Sequence, residues 1–526
     1  MDSFQCSAGF QAARRPPGRR CPSFANASRY AGEARPEPCA TQQALTYDDV
    51  ETVLIHLPEI LQTSVRALRE AGYRAVVVGG AVRDALLGIP PKDFDIEVYG
   101  VAYDNLAGLL AHLGRVDLVG KSFGVVKLAV NGASYDFSVP RRDSKIGLHH
   151  RDFRATFDES ITPREAASRR DFTINAMAWD PSNDEVLDFF GGRQDLEKRV
   201  LRATSEAFAE DPLRVLRGMQ FACRFDLKLD AGTADLCRSI ADQYGTVAGE
   251  RVAEEFMKWA VKSSRPGRIF EYLRESGWSI HFPELARLAG VPQDPEWHPE
   301  GDVEIHTGLV LDAAAQVAER DRLEGDARAV LLFGALCHDF AKATTTAMRD
   351  RGGRLRWTSF GHEQESVPIA RAFLSRIGIK SSIIEQVEPL VENHMAASNI
   401  GREPTPRAIH RQANRLQPAT ISQLLRVIEA DYSGRPPLPG GLPDGAARIK
   451  ALAESQSVTE GPVVALVLGR HVLPYFEGRG GKLVGEVIST AYEAQLDGEF
   501  SSIEEGLVWL EKYMALEARG KTGEAD

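Results

Sequence analysis

The chain has 526 residues, of which 43% are hydrophobic and 26% are charged, proportions that are ordinary for a globular protein. Its formal net charge of −11 argues against a generally basic nucleic-acid binder, so an RNA partner would have to meet a local basic surface. No run approaches the ~18 apolar residues of a transmembrane helix, and the six cysteines include no CxxC pair, which favours a reducing compartment. We therefore expect a cytoplasmic protein of about three to four domains with no membrane partner.

The first 48 residues are rich in Arg, Pro, Ala and Ser and lack hydrophobic periodicity, so we expect a disordered extension. An Arg-rich start is also typical of an organelle-targeting peptide. Asp2, Glu33 and Glu37, and the absence of a clear amphipathic helix, argue against that alternative. Residues 50–71 are then predicted to form a helix that leads into the first strand.

Two glycines separate a predicted strand from a predicted helix. Residues 75–78 form a short apolar run of mostly β-branched residues, which indicates a buried strand, and Gly79 and Gly80 end it. Residues 81–87 have helical spacing, and Gly88 stops the helix. Glycine lets an anion approach the backbone, and the free N–H groups at a helix start face that anion. The stretch is therefore predicted to cradle a phosphate.

A pair of carboxylates follows a Pro-Pro turn after this helix. Asp93 and Asp95 would share one face of a strand, because successive side chains of a strand alternate. Phe94 and Ile96 would point the other way, into the core. Two carboxylates beside a phosphate cradle suit two Mg²⁺ ions and a nucleoside triphosphate. Taken alone, an Asp-x-Asp pair is also typical of a solvated surface.

The next segments are a predicted helix at 103–113 and predicted strands at 125–130 and 134–139. Asp136 in the second strand is either an outward polar residue or a third carboxylate beside the aspartate pair. Residues 140–170 hold eight Lys or Arg against five Asp or Glu, with few apolar residues. We expect a mobile loop there, near a triphosphate or an RNA end, or else a merely solvated loop.

Two strings in this half of the chain resemble motifs of one superfamily. The string GGAVRDALLG followed by Asp-Phe-Asp resembles motif A of the class II tRNA nucleotidyltransferase and bacterial poly(A) polymerase superfamily. RRDFTINA at 169–176 resembles motif B, which contacts the ribose and the phosphates of the nucleotide. A sugar hydroxyl must be hydrogen-bonded if ribonucleotides are to be selected. The resemblance implies nucleotide-binding roles for Gly79, Gly80, Arg83, Arg170, Asp171 and Asn175.

Residues 210–217 predict the start of a helix, with Asp211 as its cap and a proline in the first turn. The string resembles motif D, in which an Asp and an Arg act as a protein template for base choice. The resemblance implies nucleotide contacts for Asp211, Arg214 and Arg217. From the residues alone, a cap and a salt bridge between positions i and i+3 explain Asp211 and Arg214 equally. Close relatives often carry a further Arg where this chain has Gln220, which puts one nucleotide contact in doubt.

Two flanking stretches match the remaining motifs of the superfamily. Residues 188–196 resemble motif C, a hinge between head and neck, and are otherwise a plain glycine turn. Residues 250–258 resemble motif E, a neck helix that supports the template, and we expect their role to be structural.

An ordered set of histidines and aspartates predicts a metal site in the second half of the chain. The set lies on or beside apolar helical stretches and comprises His306, His338, Asp339, His362, His394 and Asp431. A lone histidine there is more typical of a structural residue, but the ordered set resembles the HD phosphohydrolase superfamily. The resemblance implies four metal ligands, namely His306, His338, Asp339 and Asp431. His362 and His394 would hold a second metal or a phosphate, and these ligand types suit a transition metal better than Mg²⁺.

The last part of the chain is predicted to be a linker followed by a small helical tail. Residues 434–447 are rich in Pro and Gly, which indicates the linker. Ser501 or Ser502 with Glu504 or Glu505 has the pattern of a capping box. The tail resembles the C-terminal segment of HD-bearing CCA-adding enzymes, which implies a tRNA contact. His471 has no metal partners in sequence and is expected to be structural.

The motifs together predict an α+β fold. The resemblance implies a polymerase-beta-like nucleotidyltransferase head, built from a small mixed sheet with helices, followed by all-α neck, HD and tail domains. The expected limits are 1–48 for the extension, 49–182 for the head, 183–288 for the neck, 289–440 for the HD domain and 441–526 for the tail.

The resemblance also implies a function. It is that of a tRNA nucleotidyltransferase that adds or repairs the 3′-terminal CCA from CTP and ATP, with an HD phosphohydrolase activity. Asp93 and Asp95 would hold Mg²⁺ for two-metal transfer, with Asp136 as the third catalytic carboxylate. A poly(A) polymerase and an enzyme that adds only CC or only A share the motifs and stay open as alternatives. The intact Asp-Phe-Asp argues against an HD phosphohydrolase with a merely RNA-binding head. The sequence leaves the oligomeric state open.

Overall fold

The computed structural model describes residues 55–118, 124–145, 153–399 and 404–522. Within these ranges a mixed α/β region is followed by a region that is almost entirely helical. The extension predicted for residues 1–48 lies outside the described residues. A search of the described helices finds none whose length and apolar character would let it cross a membrane.

The α/β region contains a seven-stranded sheet and the helices around it. Its elements are α1 (Glu59–Glu70), β1 (Arg74–Val78), α2 (Gly80–Leu86), β2 (Asp95–Tyr99), α3 (Tyr103–Ala111), β3 (Arg115–Asp117), β4 (Val125–Val130), β5 (Ala133–Ser138), β6 (Arg141–Lys145), β7 (Phe153–Phe157), α4 (Pro163–Ser168), β8 (Ala178–Asp180) and β9 (Glu185–Leu187).

The region that follows is dominated by helices. Its elements are α5 (Gly192–Glu197), β10 (Val200–Leu201), α6 (Leu213–Phe225), β11 (Lys228–Leu229), α7 (Ala231–Ser239), α8 (Gly249–Lys262), α9 (Ile269–Glu275), α10 (Pro283–Ala286), α11 (Val303–Arg320), α12 (Gly325–Cys337), α13 (Lys342–Thr345), β12 (Ala347–Asp350), β13 (Leu355–Thr358), α14 (His362–Arg376), α15 (Ser381–Asn393), α16 (Ala396–Asn399), α17 (Pro406–Arg415), α18 (Ile421–Ser433), α19 (Asp444–Ser455), α20 (Gly469–Val472), α21 (Lys482–Leu496) and α22 (Ile503–Thr522).

The main sheet is mixed, with the strand order β3-β4-β5-β2-β1-β8-β9. Strand β1 runs antiparallel to β2 and β8, and β2 runs parallel to β5. Val77 of β1 belongs to the main core, whereas Val76 and Val78 belong to a smaller cluster with Tyr99 and Leu187. The sheet is therefore covered on both faces, which explains why β1 is a continuous apolar run rather than an alternating one.

Two elements begin later than the sequence predicts. Helix α1 begins at Glu59 with Pro58 as its N-cap, and residues 55–58 are not helical, while the predicted start near residue 50 lies outside the described residues. Strand β2 begins at Asp95, so the expectation that Asp93 lies in the same strand is wrong. The physical reason is the pairing partner: Val78 opposite Asp95 is the last residue of β1, because the chain turns away at Gly79.

The stretch at 140–170, which we expected to be a loop, contains a hairpin and a helix. Strands β6 and β7 pair antiparallel, and residues 146–152 between them lie outside the described residues. Helix α4 has Pro163 in its first turn and a reciprocal capping box between Thr162 and Glu165. These two features fix the start of α4 and shorten the irregular part of the stretch.

The helical region shares a hydrophobic core with the sheet. One core runs from Ile55 to Val458, and within it α11 packs against α12 and α18, while α12 packs against α8 and α15. A second, smaller core joins buried residues between Val467 and Leu510. Helix α19 begins at Asp444, so the linker expected at 434–447 is shorter than predicted. The capping box in the tail is confirmed, since Glu505 N–H donates to Ser502 Oγ and the Glu505 carboxylate accepts from Ser502 N–H.

Candidate nucleotide and metal sites

Three predicted catalytic carboxylates surround the start of β2. Asp95 lies directly opposite Asp136 on the parallel strand β5, and Asp93 lies two residues before β2. The residue Asp95 as a whole is exposed, but neighbouring atoms keep water away from its carboxyl group. This loss of hydration is the main cause of the raised pKa of Asp95. Arg170 opposes that shift, while the negative charges of Asp136 and Asp93 add to it. The site therefore concentrates negative charge at the ends of central strands of the sheet.

This group of oxygens fits a divalent cation. Carboxylates are the hard ligands that Mg²⁺ prefers, and a bound cation would relieve the carboxylate repulsion that adds to the raised pKa of Asp95. In the structure the ammonium group of Lys127 neutralises part of this negative charge, since Lys127 Nζ lies 3.0 Å from an Asp136 carboxylate oxygen. Lys127 sits on β4, directly opposite Asp136 in the sheet register.

The glycine pair ends β1 as the sequence predicts, and it leaves room for a ligand. Gly79 has a φ of 74°, a conformation that side chains disfavour, and Gly80 begins α2. A Cβ atom at Gly79 would lie only 3.1 Å from Arg170 Nη1. The Arg170 guanidinium is held on its other side by Glu97, at 3.7 Å. The cradle is therefore lined by bare backbone and by a cation, which suits phosphate oxygens.

Four predicted nucleotide-binding residues form one hydrogen-bonded chain. Arg83 Nη1 donates to Asn175 Oδ1 at 2.5 Å, and Asn175 Nδ2 donates to Asp171 Oδ1 at 3.1 Å. Arg217 Nε donates to the other Asp171 oxygen at 2.8 Å. Burial raises the pKa of Asp171, but Arg217 and the hydrogen bonds outweigh it and leave the pKa below its usual value. The chain connects α2, the motif B turn and α6.

Arg83 also ties the sheet region to α6 by packing. Its side chain is buried, and its guanidinium lies over the rings of Phe221 and Phe225, at 5.3 and 4.6 Å from the ring centroids. Asp84 pairs with the same guanidinium at 2.6 Å. Arg83 therefore lies beneath the cradle, where it can hold the nucleotide-binding residues in place.

The two predicted template residues lie at the start of α6, with their polar atoms oriented by neighbours. Arg214 donates to the backbone carbonyls of Ala207 at 2.5 Å and of Arg169 at 2.8 Å. Asp211 accepts from Leu213 N–H at 3.1 Å, which confirms its capping contact. The helix begins at Leu213 rather than at 210, because a 3₁₀ turn occupies 206–210.

Helix α8 carries the residues of motif E and contacts Asp211 of this template pair. Arg251 Nη2 lies 3.5 Å from Asp211 Oδ2. On the same helix Glu255 is buried, and its Oε1 lies 2.8 Å from Lys258 Nζ. Gln220, which stands where relatives often carry Arg, is buried on α6. The template role of Asp211 and Arg214 stays a prediction, while the support that α8 gives to Asp211 is a structural fact.

The second constellation converges inside the helical region. His338, His362 and His394 stand at helix ends, and the Nδ1 of each lies 2.7 Å from the backbone carbonyl three residues earlier. A carbonyl only accepts, so each Nδ1 carries a proton and each Nε2 is turned into the cluster, where His362 Nε2 and His394 Nε2 lie 3.1 Å apart. His306, from the first turns of α11, and Asp431, from α18, complete the set.

The ligand atoms fall into two groups. His306, His338 and Asp431 form one, Asp339, His362 and His394 form the other, and the atoms of each group lie within 4.8 Å of one another. His306 Nε2 is 3.1 Å from Asp431 Oδ1, and His362 Nε2 is 3.2 Å from Asp339 Oδ1. The structure thus brings together all six residues that the sequence singled out.

These groups fit a metal. Within the part of the chain that the structure describes, five buried atoms of these ligands find no well-aligned hydrogen-bond partner, namely both ring nitrogens of His306, Nε2 of His338 and both carboxylate oxygens of Asp339. Burial lowers the pKa of His306, but Asp431 and Glu300 outweigh it and raise the pKa to about 9. A buried cluster of unsatisfied nitrogen and oxygen atoms is suited to a cation.

Four residues at this site were not predicted from the sequence. Lys342 Nζ lies 2.8 Å from Asp339 Oδ2 and 2.9 Å from Gln293 Oε1. Its position three residues after Asp339 was the available signal. Glu300 Oε1 lies 2.9 Å from His298 Nδ1 and 2.8 Å from His306 Nδ1. The sequence spacing does not predict the contacts of Glu300, because the segment before α11 is irregular.

Comparisons with known proteins agree with this arrangement. Residues 75–202 match the Poly A polymerase head domain, and residues 303–430 match the HD domain. The multifunctional CCA protein of Aromatoleum aromaticum is 37% identical over 361 residues, which are 68% of this chain and 80% of that protein. The multifunctional CCA protein of Laribacter hongkongensis is 34% identical over 409 residues, or 76% and 95% of the two chains. The chain belongs to the multifunctional CCA protein family.

Solved structures support the fold of this family member. The CCA-adding enzyme of Bacillus stearothermophilus, in complex with CTP, has a TM-score of 0.58 and is 20% identical, covering 88% of this chain and 100% of that chain. At that identity the likeness shows the fold alone. The predicted α+β class, with a polymerase-beta-like head and a helical remainder, is confirmed. The head and the HD domain both belong to metal-dependent types of enzyme.

Proposed function

We propose that this multifunctional CCA family member adds or repairs the 3′-terminal CCA of tRNA with CTP and ATP. We propose in addition that its HD domain carries a metal-dependent phosphohydrolase activity. The observation that carries the first proposal is the register of β2 and β5, which sets Asp95 opposite Asp136 beside the Gly79 cradle.

The chemistry of the head rests on Asp93 and Asp95 as the ligands of Mg²⁺, with Asp136 as a third catalytic carboxylate beside them. When bound there, Mg²⁺ lowers the pKa of the RNA 3′-hydroxyl and stabilises the departing pyrophosphate. The chain itself supplies position and charge. Gly79 leaves space for the triphosphate, and Arg170, held by Glu97, faces that space as a cation. Phosphoryl transfer is catalysed mainly by positioning and by stabilisation of charge, so no protein nucleophile is needed.

Base choice rests on Asp211 and Arg214. An ionised Asp only accepts hydrogen bonds and an Arg only donates them. Cytosine and adenine each present an amino donor and a ring-nitrogen acceptor, so the pair suits both. Uracil and guanine present a carbonyl and a ring N–H instead. The two carbonyls that accept from Arg214 keep its guanidinium in one orientation, which such discrimination requires.

The HD proposal assigns the metal to His306, His338, Asp339 and Asp431, with His362 and His394 as holders of a second metal or of a phosphate. A transition metal suits these imidazole and carboxylate ligands. Bound there, it would supply Lewis-acid polarisation of a phosphoryl oxygen. Lys342 balances the charge of Asp339 and holds that carboxylate in place.

A poly(A) polymerase is the second candidate function, because the head matches the Poly A polymerase head domain. The test is extension of a tRNA that lacks its 3′ CCA, with CTP alone, ATP alone and both. CCA addition predicts two residues added with CTP alone, none with ATP alone and three with both. A long tail made from ATP alone would replace the CCA proposal with poly(A) synthesis.

We place the protein in the cytoplasm. Cys223, Cys237 and Cys337 are free and buried, as in proteins of a reducing compartment.

A further inference from the structure

Three of the four inward-facing histidines are oriented by their own backbone, and the fourth is not. The Nδ1 atoms of His338, His362 and His394 each meet the carbonyl three residues earlier. For His306 that carbonyl belongs to Val303, which accepts from Thr307 Oγ1 at 2.7 Å. His306 therefore needs another group to hold its Nδ1 proton.

Glu300 stands in the position of the missing carbonyl. Its Oε1 lies 2.8 Å from His306 Nδ1, although the angle is too bent for a straight hydrogen bond. The Glu300 side chain is 1% exposed, and its other oxygen, Oε2, is buried without a hydrogen-bond partner among the described residues. His298 contacts the same Oε1 at 2.9 Å and holds the carboxylate from the other side.

We propose that Glu300 is a positioning residue for the HD metal. It keeps the proton of His306 on Nδ1, so that Nε2 presents its lone pair beside Asp431 and His338. A carboxylate behind a ligating imidazole fixes the tautomer and raises the basicity of the ligand, which strengthens metal binding. Among the described residues, Glu363 Oε2 approaches His362 Nδ1 only to 3.3 Å, whereas Glu300 Oε1 lies 2.8 Å from His306 Nδ1, so His306 has the closest anionic support of the set. This inference rests on the HD metal site proposed above.

The test is the affinity of the metal-free, full-length protein for Co²⁺, read from visible absorption and from competition with a chelator. Glu300→Gln keeps the shape of the side chain but removes its charge, and it is expected to weaken Co²⁺ binding about 10- to 100-fold. Nucleotide addition by the same variant should stay at the wild-type rate. Should Glu300→Gln not fold, Glu300→Asp withdraws the carboxylate by one methylene and is expected to weaken Co²⁺ binding as well.

Two further variants make the result decisive. Glu304→Gln removes the same charge from the first turn of α11, where Glu304 pairs with Arg274, and should bind Co²⁺ like the wild type. His338→Ala removes a proposed ligand and should lose the site. If His338→Ala loses Co²⁺ while Glu300→Gln binds it like the wild type, the role of Glu300 is overturned and the metal site stands. If the wild-type protein takes up no Co²⁺, both proposals fail.

Discussion

Asp136 is the residue whose two sequence interpretations differ most in their consequences. Its position opposite Asp95 on a parallel strand favours the catalytic alternative over that of an outward strand residue. Asp136→Ala is expected to lower the turnover of CTP addition at least tenfold, with little change in nucleotide affinity, because it would act on the reacting hydroxyl rather than on the nucleotide.

The measurement is single-turnover CTP addition over a range of CTP concentrations. Asp235→Ala is the matched control, since that carboxylate lies on the surface of α7 beside Arg238. An Asp136 variant that turns over at the wild-type rate would return the residue to a structural role.

Asp211 can be tested without disturbing α6. Asparagine caps a helix about as well as aspartate, so Asp211→Asn keeps the contact to Leu213 N–H. It replaces an acceptor with a group that also donates. A buried contact of this kind contributes about 1–3 kcal/mol to the choice of CTP and ATP over UTP and GTP. Its loss should therefore lower this selectivity roughly ten- to a hundredfold.

The comparison is single-nucleotide addition with all four triphosphates. The rates of CTP and ATP addition should fall, and the ratio of these rates to those of UTP and GTP should become smaller. A wild-type ratio with an unchanged melting temperature would leave Asp211 as a cap only.

At the scale of elements, the turn after β1 depends on one glycine. Gly79 has φ 74° and ψ −129°, a region that is open almost only to glycine. Gly79→Ala should therefore lower the free energy of unfolding by about 1–3 kcal/mol, and its Cβ would press on Arg170 as well.

Gly80→Ala is the control for this prediction. Gly80 lies in helical backbone, and a Cβ there would meet nothing closer than Arg83 Nη2 at 3.4 Å. Urea or thermal unfolding of the two variants checks the claim. Equal stability of both variants would contradict the backbone explanation.

The elements that the sequence predicted well are those with apolar signals. The run before Gly79 and the alternating strand that carries Asp136 became β1 and β5 with shifts of one residue. Strand β6 (Arg-Arg-Asp-Ser-Lys) has no apolar residue, so hydrophobic periodicity could not find it. Helix α4 is different, because Thr162, Pro163 and Glu165 form a capping signal that is readable in the sequence, although the stretch was expected to be a loop.

The candidate sites were predictable as residue sets but not as contacts. The order of the HD residues pointed to a shared site, and the structure joins them from α11, α14 and α18 and from the ends of α12 and α15. The sequence could not show that Glu300 supports His306, or that Arg83 lies beneath the cradle against α6, because these contacts depend on packing between distant elements.

At the scale of the whole molecule, one hydrophobic core joins described residues between Ile55 and Val458, and a separate core holds the tail. The domain limits drawn from the sequence stay a prediction, since the shared core does not by itself divide the head, neck and HD regions. The two proposed metal sites lie on different elements of this body, one beside β2 and the other among α11, α14 and α18.

The most direct test of the central claim is to separate these two chemistries by one substitution at each site. Wild type, Asp95→Ala and His338→Ala are compared for CCA addition to tRNA with Mg²⁺, and for hydrolysis of bis(p-nitrophenyl) phosphate with Co²⁺. Asp95→Ala should abolish CCA addition and keep the hydrolysis, whereas His338→Ala should do the opposite. CCA addition by Asp95→Ala within tenfold of the wild-type rate would contradict the account.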